Sequence, residues 1–149
     1  MEKYDSLKLE NQLCFPLYAC SKEIIKNYKP YLDKIDLTYT QYIVMMVLWD
    51  SKSINVKELG EKLYLDSGTL TPLLKKLESK GYITRGRSDK DERNLIIKVT
   101  EEGMKLRDEA LSVPQEMSKC IRLTTEESQF LYKILYKIID KVEGEGNNE

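Results

Sequence analysis

Three cysteines, Cys14, Cys20 and Cys120, are the reactive side chains of this 149-residue chain, which holds no histidine. Without histidine there is no Ser–His–Asp triad, no Cys–His dyad and no histidine-ligated metal site. No CxxC spacing supports a thiolate site either, so the sequence calls for no metal and no cofactor. A thiol that reacts here must be stabilised as thiolate by other means. Phenol O–H donors do that, as do the first turns of a helix, near its positive end. Tyr18 lies four residues beyond Cys14, on the same helical face, where it can pack over the thiol. The plainer alternative for Cys14 is a small buried hydrophobe. Cys20 is six residues from Cys14, about 240° around a helix, and reads as structural. An odd cysteine count argues against a secreted disulfide framework.

The elements that must position these thiols are mostly helical. Residues 7–33 carry Leu7, Leu9, Leu13, Leu17, Ile24, Ile25, Tyr28, Tyr31 and Leu32 at helical spacing. This predicts one long helix from near Leu7 or Glu10. Pro16 should kink it or mark its true first turn, and Pro30 should distort or end it. Thr38 with Gln41 forms a capping-box pattern ahead of the apolar run Ile43–Trp49. A connector, Asp50–Asn55, leads to a two-turn helix, Val56–Leu63. Asp66 and Ser67 then cap a helix whose Leu70, Leu73, Leu74 and Leu77 share one face, and Gly81 stops it. Two β-rich runs follow, Tyr82–Arg85 and Leu95–Val99, with a charged tip between them. Thr100 caps a helix to about Leu111, which Pro114 interrupts. Thr124 or Thr125 caps the last helix, striped by Phe130, Leu131, Ile134, Leu135, Ile138 and Ile139. The tail Glu143–Glu149 reads as frayed.

Helix, turn, helix and charged hairpin, in that order, predict a mainly α fold with a small β-wing, a winged helix-turn-helix. The chain divides into an N-terminal helix (1–36), the winged domain (37–100) and C-terminal helices (101–149). From Lys75 to Lys98 eight cations face four anions, whereas the whole chain carries a net charge of −1. Such a local excess beside a groove-sized helix is the footprint of DNA binding; a solvated charged face is the bland alternative. Ser67, Thr69 and Thr71 would meet base edges and phosphates in the major groove, although Thr side chains there equally suit capping. Lys75, Lys76, Arg85 and Arg87 would hold phosphates. Neither terminal helix can bury its stripe on so small a module, so a two-fold homodimer on a pseudo-palindromic double-stranded operator is expected. The longest apolar run, Tyr42–Trp49, is far short of the ~20 residues of a membrane span. No signal-peptide core is visible near the N-terminus, so a soluble, cytoplasmic protein with no membrane partner is expected.

The stretch LDSGTLTPLLKKLESKGYITR and the wing RSDKDERNLIIKVTEEG resemble the MarR family of winged helix-turn-helix regulators. The blocks ENQLCFPLY (Glu10–Tyr18) and LTYTQY (Leu37–Tyr42) resemble its thiol-based branch, the organic hydroperoxide resistance regulators. The resemblance implies a repressor, not an enzyme, with Cys14 as the redox sensor. It implies that Tyr28 and Tyr39 hydrogen-bond the thiolate of the partner subunit. It places Arg93 in the minor groove, braced by Asp91, and arginine suits a narrow A·T-rich groove. It also implies a two-cysteine type: hydroperoxide oxidises Cys14 to the sulfenic acid, and Cys120 of the other subunit, the resolving cysteine, condenses with it to release DNA. Cys120 as an exposed spectator remains the alternative. A second functional reading keeps the DNA head but replaces the thiol switch with a small aromatic ligand. A thiol peroxidase, the third, lacks a peroxidatic His or Arg–Thr arrangement in the NQLCF block.

Overall fold

The computed structural model describes residues 2–88 and 91–146, except the side chains of residues 91–93 and 145–146. Two short 3-10 turns, Asp5–Leu7 and Leu9–Asn11, precede helix α1, Cys14–Asp33. The helix therefore begins later than the apolar spacing predicts. Pro16 falls at its third residue, within the first turn, where a missing N–H costs nothing. Pro30 lies inside the helix, which continues to Asp33.

Helix α2, Tyr39–Ser51, starts on the expected capping box. The Gln41 N–H donates to Thr38 Oγ1 and the Thr38 N–H donates to Gln41 Oε1. Its Tyr42, Val44, Met45, Leu48 and Trp49 are buried, which makes it the central helix of the head. The connector after it holds a strand that the sequence reading missed, β1, Ser53–Asn55. Three residues are too few to express a period of two. Helix α3, Val56–Leu63, is capped by Asn55, whose Oδ1 accepts from the N–H groups of Lys57 and Glu58. Helix α4, Ser67–Ser79, buries Leu70, Leu73, Leu74 and Leu77, the face expected from their spacing. Its end is a Schellman turn: Gly81, at φ +82°, donates to Glu78 O and Tyr82 N–H donates to Leu77 O.

Strands β2, Ile83–Ser88, and β3, Asp91–Val99, form the wing, and the sheet order is β1-β3-β2, all antiparallel. Both wing strands reach further into the charged run than expected. A hairpin satisfies its backbone within its own ladder, so its outer half needs no apolar cover. Helix α5, Glu101–Ala110, starts on Thr100, which accepts from Gly103 N–H and donates to Gly81 O. Gly103 has no room for a side chain. A Cβ there would collide with the Tyr82 carbonyl oxygen and stand 2.8 Å from Val99 Cγ2, while its own carbonyl accepts the Trp49 indole N–H at 2.8 Å. After Leu111 the chain re-enters helix at once as α6, Ser112–Ile121, with Pro114 in its first turn.

Two compact units emerge, Met1–Met117 and Ser118–Glu149. The second contains α7, Thr125–Gly146, started by a capping box between Thr124 and Glu127. These bonds hold the Glu127 carboxyl below its usual range. The helix runs through Gly146, further than a frayed tail from Glu143 would allow. Its Phe130, Leu131, Ile134 and Ile138 are all exposed.

Candidate functional site

The start of α4 is fixed by Asp66, whose carboxylate accepts the Thr69 N–H at 2.7 Å. That bond, with further ones from Thr69 and Gly68, holds the Asp66 carboxyl below its ordinary range. Capping thus falls to Asp66, and Ser67, Thr69 and Thr71 stand exposed on the first turns. Thr71 Oγ1 donates to Ser67 O at 2.8 Å, which occupies its proton but leaves its lone pairs. Lys75 and Lys76 are exposed further along the helix.

In the wing, the two arginines share one face of β2 and differ in depth along it. Arg85 lies opposite Ile97, a fully buried residue, and so faces the core side. There its Nη2 donates to Glu78 Oε1 of α4 at 3.0 Å, which holds the Glu78 carboxyl below its usual range. Arg85 thus locks the wing to the recognition helix in the free chain. Arg87, two residues on, is exposed. Thr84, Gly86, Ser88, Ile96 and Lys98 line an open concavity of about 390 Å³ with both arginines. Asp91 begins β3, but its side chain and that of Arg93 lie outside the described residues, as does the tip at Asp89 and Lys90.

Cys14 is the first residue of α1 and is exposed, not part of a single-chain core. Cys20, expected to be structural, is also exposed, as is Cys120 near the end of α6, and none of the three forms a disulfide within the chain. Tyr18 is exposed with the Lys22 ammonium 5.2 Å from its ring centre. Tyr28 and Tyr39 meet with ring centres 4.9 Å apart, and Tyr42, which the sequence reading did not single out, completes the cluster at 6.0 and 6.4 Å. Its position three residues after Tyr39 was the available signal. Burial and the Tyr39 phenol raise the Tyr28 pKa above the usual 10, and burial raises that of Tyr42. Both remain O–H donors at neutral pH. Cys14 and Tyr28 are fourteen residues apart on one continuous helix. At ~1.5 Å per residue they are separated by about 21 Å, so no thiolate can reach the phenol within one chain.

No group of three or more Cys, Asp or Glu among the described residues could hold a metal ion. No described helix is long and apolar enough to cross a membrane. A groove of about 510 Å³ is lined by Tyr31, Lys34, Ile35, Glu109, Ser112 and Glu116.

Comparison with known proteins gives a consistent picture. Residues 26–110 match the family described as transcriptional regulator SarA/Rot. The chain is 47% identical to an organic hydroperoxide resistance transcriptional regulator of Bacillus subtilis, over 93% of this chain and 94% of the relative. It is 48% identical to the HTH-type transcriptional regulator SarZ of Staphylococcus epidermidis, over 89% of this chain and 90% of that protein. Among solved structures it is similar to AbfR of S. epidermidis. Reduced AbfR bound to DNA is 32% identical, with a TM-score of 0.78 over 95% of this chain and 99% of that one. Disulfide-formed AbfR is 34% identical, with a TM-score of 0.63 over 92% and 96%.

Proposed function

Because this chain belongs to the SarA/Rot-type winged-helix transcriptional regulators of the MarR family, which are DNA-binding regulators and not enzymes, we propose that it is a homodimeric repressor switched by oxidation of Cys14. The observation that carries the reading is the separation, along α1, of Cys14 from Tyr28, which packs against Tyr39 at the start of α2. An exposed thiol at a helix start and a half-buried pair of phenol donors face the same task from opposite ends of α1. A two-fold dimer pairing the helices brings each thiol to the other chain's tyrosines.

The chemistry follows from the residues. The first N–H groups of α1 and the phenol O–H donors of the second subunit are the hydrogen-bond donors available to the Cys14 sulfur. The thiolate sulfur attacks the terminal oxygen of an organic hydroperoxide, the O–O bond breaks, and an alcohol leaves after protonation. Cys14 is then a sulfenic acid. The Cys120 thiol of the second subunit attacks its sulfur, the S–S bond forms and water leaves. One hydroperoxide takes up two electrons, net one from each sulfur, and the condensation itself needs no further oxidant. Shifting the terminal helices re-spaces the two α4 helices, and an operator that needs both heads is released.

On DNA, α4 offers Ser67, Thr69 and Thr71 to the major groove, with Lys75, Lys76 and Arg87 on phosphates. Arg85 contributes by holding the wing to α4 and joins the phosphate contacts only if it leaves Glu78. By the family resemblance, Arg93 is the residue for the minor groove and Asp91 the one that would brace it. A regulator acting on DNA in this way works in the cytoplasm.

Operator binding followed by fluorescence anisotropy during titration with cumene hydroperoxide tests the switch. The wild-type protein should release DNA within about one equivalent per chain, and Cys14→Ser should stay bound. Release of the Cys14→Ser protein would transfer the sensing role elsewhere. Release by a small aromatic ligand without peroxide would favour a ligand-gated regulator instead.

A further inference from the structure

Lys80 closes the recognition helix as its C-cap, yet its ammonium reaches away from α4. It donates to the Asp36 carbonyl oxygen and, at 3.2 Å, to Gln41 Oε1, and it lies 3.5 Å from Asp36 Oδ2. All three acceptors belong to the turn between α1 and α2 and to the first turn of α2. The ammonium's three protons match these three acceptors. The acceptors themselves are held in place. Gln41 is 3% exposed and the same Oε1 accepts the Thr38 N–H. Asp36 sits in left-handed backbone at φ 54°.

This first turn of α2 also carries Tyr39 and Tyr42, against which Tyr28 packs. One helical turn therefore holds the tyrosine cluster and the anchor of the recognition helix. On its other flank α4 is tied to the wing through Glu78 and Arg85. The wing is thus tied to α4 by one ion pair, and Lys80 ties α4 to the turn that carries the tyrosines.

We propose that Lys80 is the positioning residue that couples the tyrosine cluster to the recognition helix. When oxidation of Cys14 displaces the first turn of α2, the Lys80 contacts to Asp36 and Gln41 carry that displacement to α4. The inference rests on the thiol switch proposed above and names the internal link that the switch requires.

The test compares operator affinity of reduced and hydroperoxide-oxidised protein for wild type, Lys80→Met, Lys80→Arg and Asp36→Asn, with a thermal melt of each. Lys80→Met keeps the aliphatic stem and removes the charge, and Gln41 retains the Thr38 N–H, so no buried acceptor is left without a partner. Asp36→Asn alters an exposed side chain, tolerates left-handed backbone, and supplies the same readout should Lys80→Met lose its fold. In wild type, oxidation should weaken binding strongly. In Lys80→Met the ratio of oxidised to reduced dissociation constants should fall about tenfold while reduced-state affinity stays near wild type. Asp36→Asn should fall between, and Lys80→Arg should restore the ratio. An unchanged ratio in both Lys80→Met and Asp36→Asn, whatever their melting points, overturns the coupling and leaves the thiol switch standing. A wild-type protein that oxidation does not release removes the switch itself, and the coupling with it.

Discussion

Helices α4 and α7 carry the same kind of apolar stripe and meet opposite fates. Leu70, Leu73, Leu74 and Leu77 of α4 are between 0 and 8% exposed, whereas Leu131, Ile134 and Ile138 of α7 stay near 40%. Composition does not separate them, since each is a leucine- or isoleucine-lined face at i, i+3, i+4 spacing. What differs is what stands opposite. The α4 stripe meets α2, α3 and the sheet within one chain, so the head completes its own core. The α7 stripe, like Leu13 just before α1 and Phe15 within it, remains open to solvent. The winged head is thus finished by a single chain, whereas the terminal stripes are left for the second copy of the proposed dimer.

Breaking the self-sufficient half should have the largest effect. Gly103→Ala forces a methyl into the Tyr82 carbonyl and disturbs the Trp49 hydrogen bond. The expected cost is about 3 kcal/mol of folding stability, read by denaturant melts, with loss of the head's cooperative transition. Breaking the other half should leave folding intact and assembly damaged. Ile134→Glu with Ile138→Glu should turn dimer into monomer in sedimentation velocity, with operator affinity down about 100-fold as bivalency is lost. A dimer that survives both charges would mean that α7 is covered by something other than a second copy. The smallest effect should come from the exposed part of the wing. Arg87→Ala should weaken binding to all sequences alike and reduce the slope of log affinity against log salt by about 1. Glu78→Gln, by contrast, should disturb the α4–wing geometry, since it leaves Arg85 without its carboxylate.

Much of the head was legible in the sequence. Thr38 with Gln41, Thr100 ahead of two glutamates and Gly81 after a leucine face are local devices, and local chemistry decides them. What was lost had non-local causes. The strand Ser53–Asn55 exists because β3 offers it a ladder, a pairing that three residues cannot announce. The start of α1 lies at Cys14 because Gln12 and Asn11 side chains bond back to Ser6, Lys8 and Asp5 carbonyls and close two 3-10 turns first. Arg85 reads as one more cation in a basic stretch until its register with Ile97 turns it towards Glu78. Of the proposed sensing site, Tyr39 lies in a resembling block and Tyr28 is named by the same resemblance. Their clustering with Tyr42, and the reach of Lys80 to Asp36 and Gln41 across about 40 residues of chain, are properties of the fold alone.

The central claim is that the exposed thiol at the head of α1 is oxidised and then captured by the second subunit. Mass spectrometry of non-reduced proteolytic peptides, after one equivalent of organic hydroperoxide per chain, tests it most directly. The account predicts a Cys14 peptide joined to a Cys120 peptide, arising from mixed isotope-labelled and unlabelled subunits, with Cys20 unmodified. An unmodified Cys14 peptide recovered from protein that has already left its operator would contradict it.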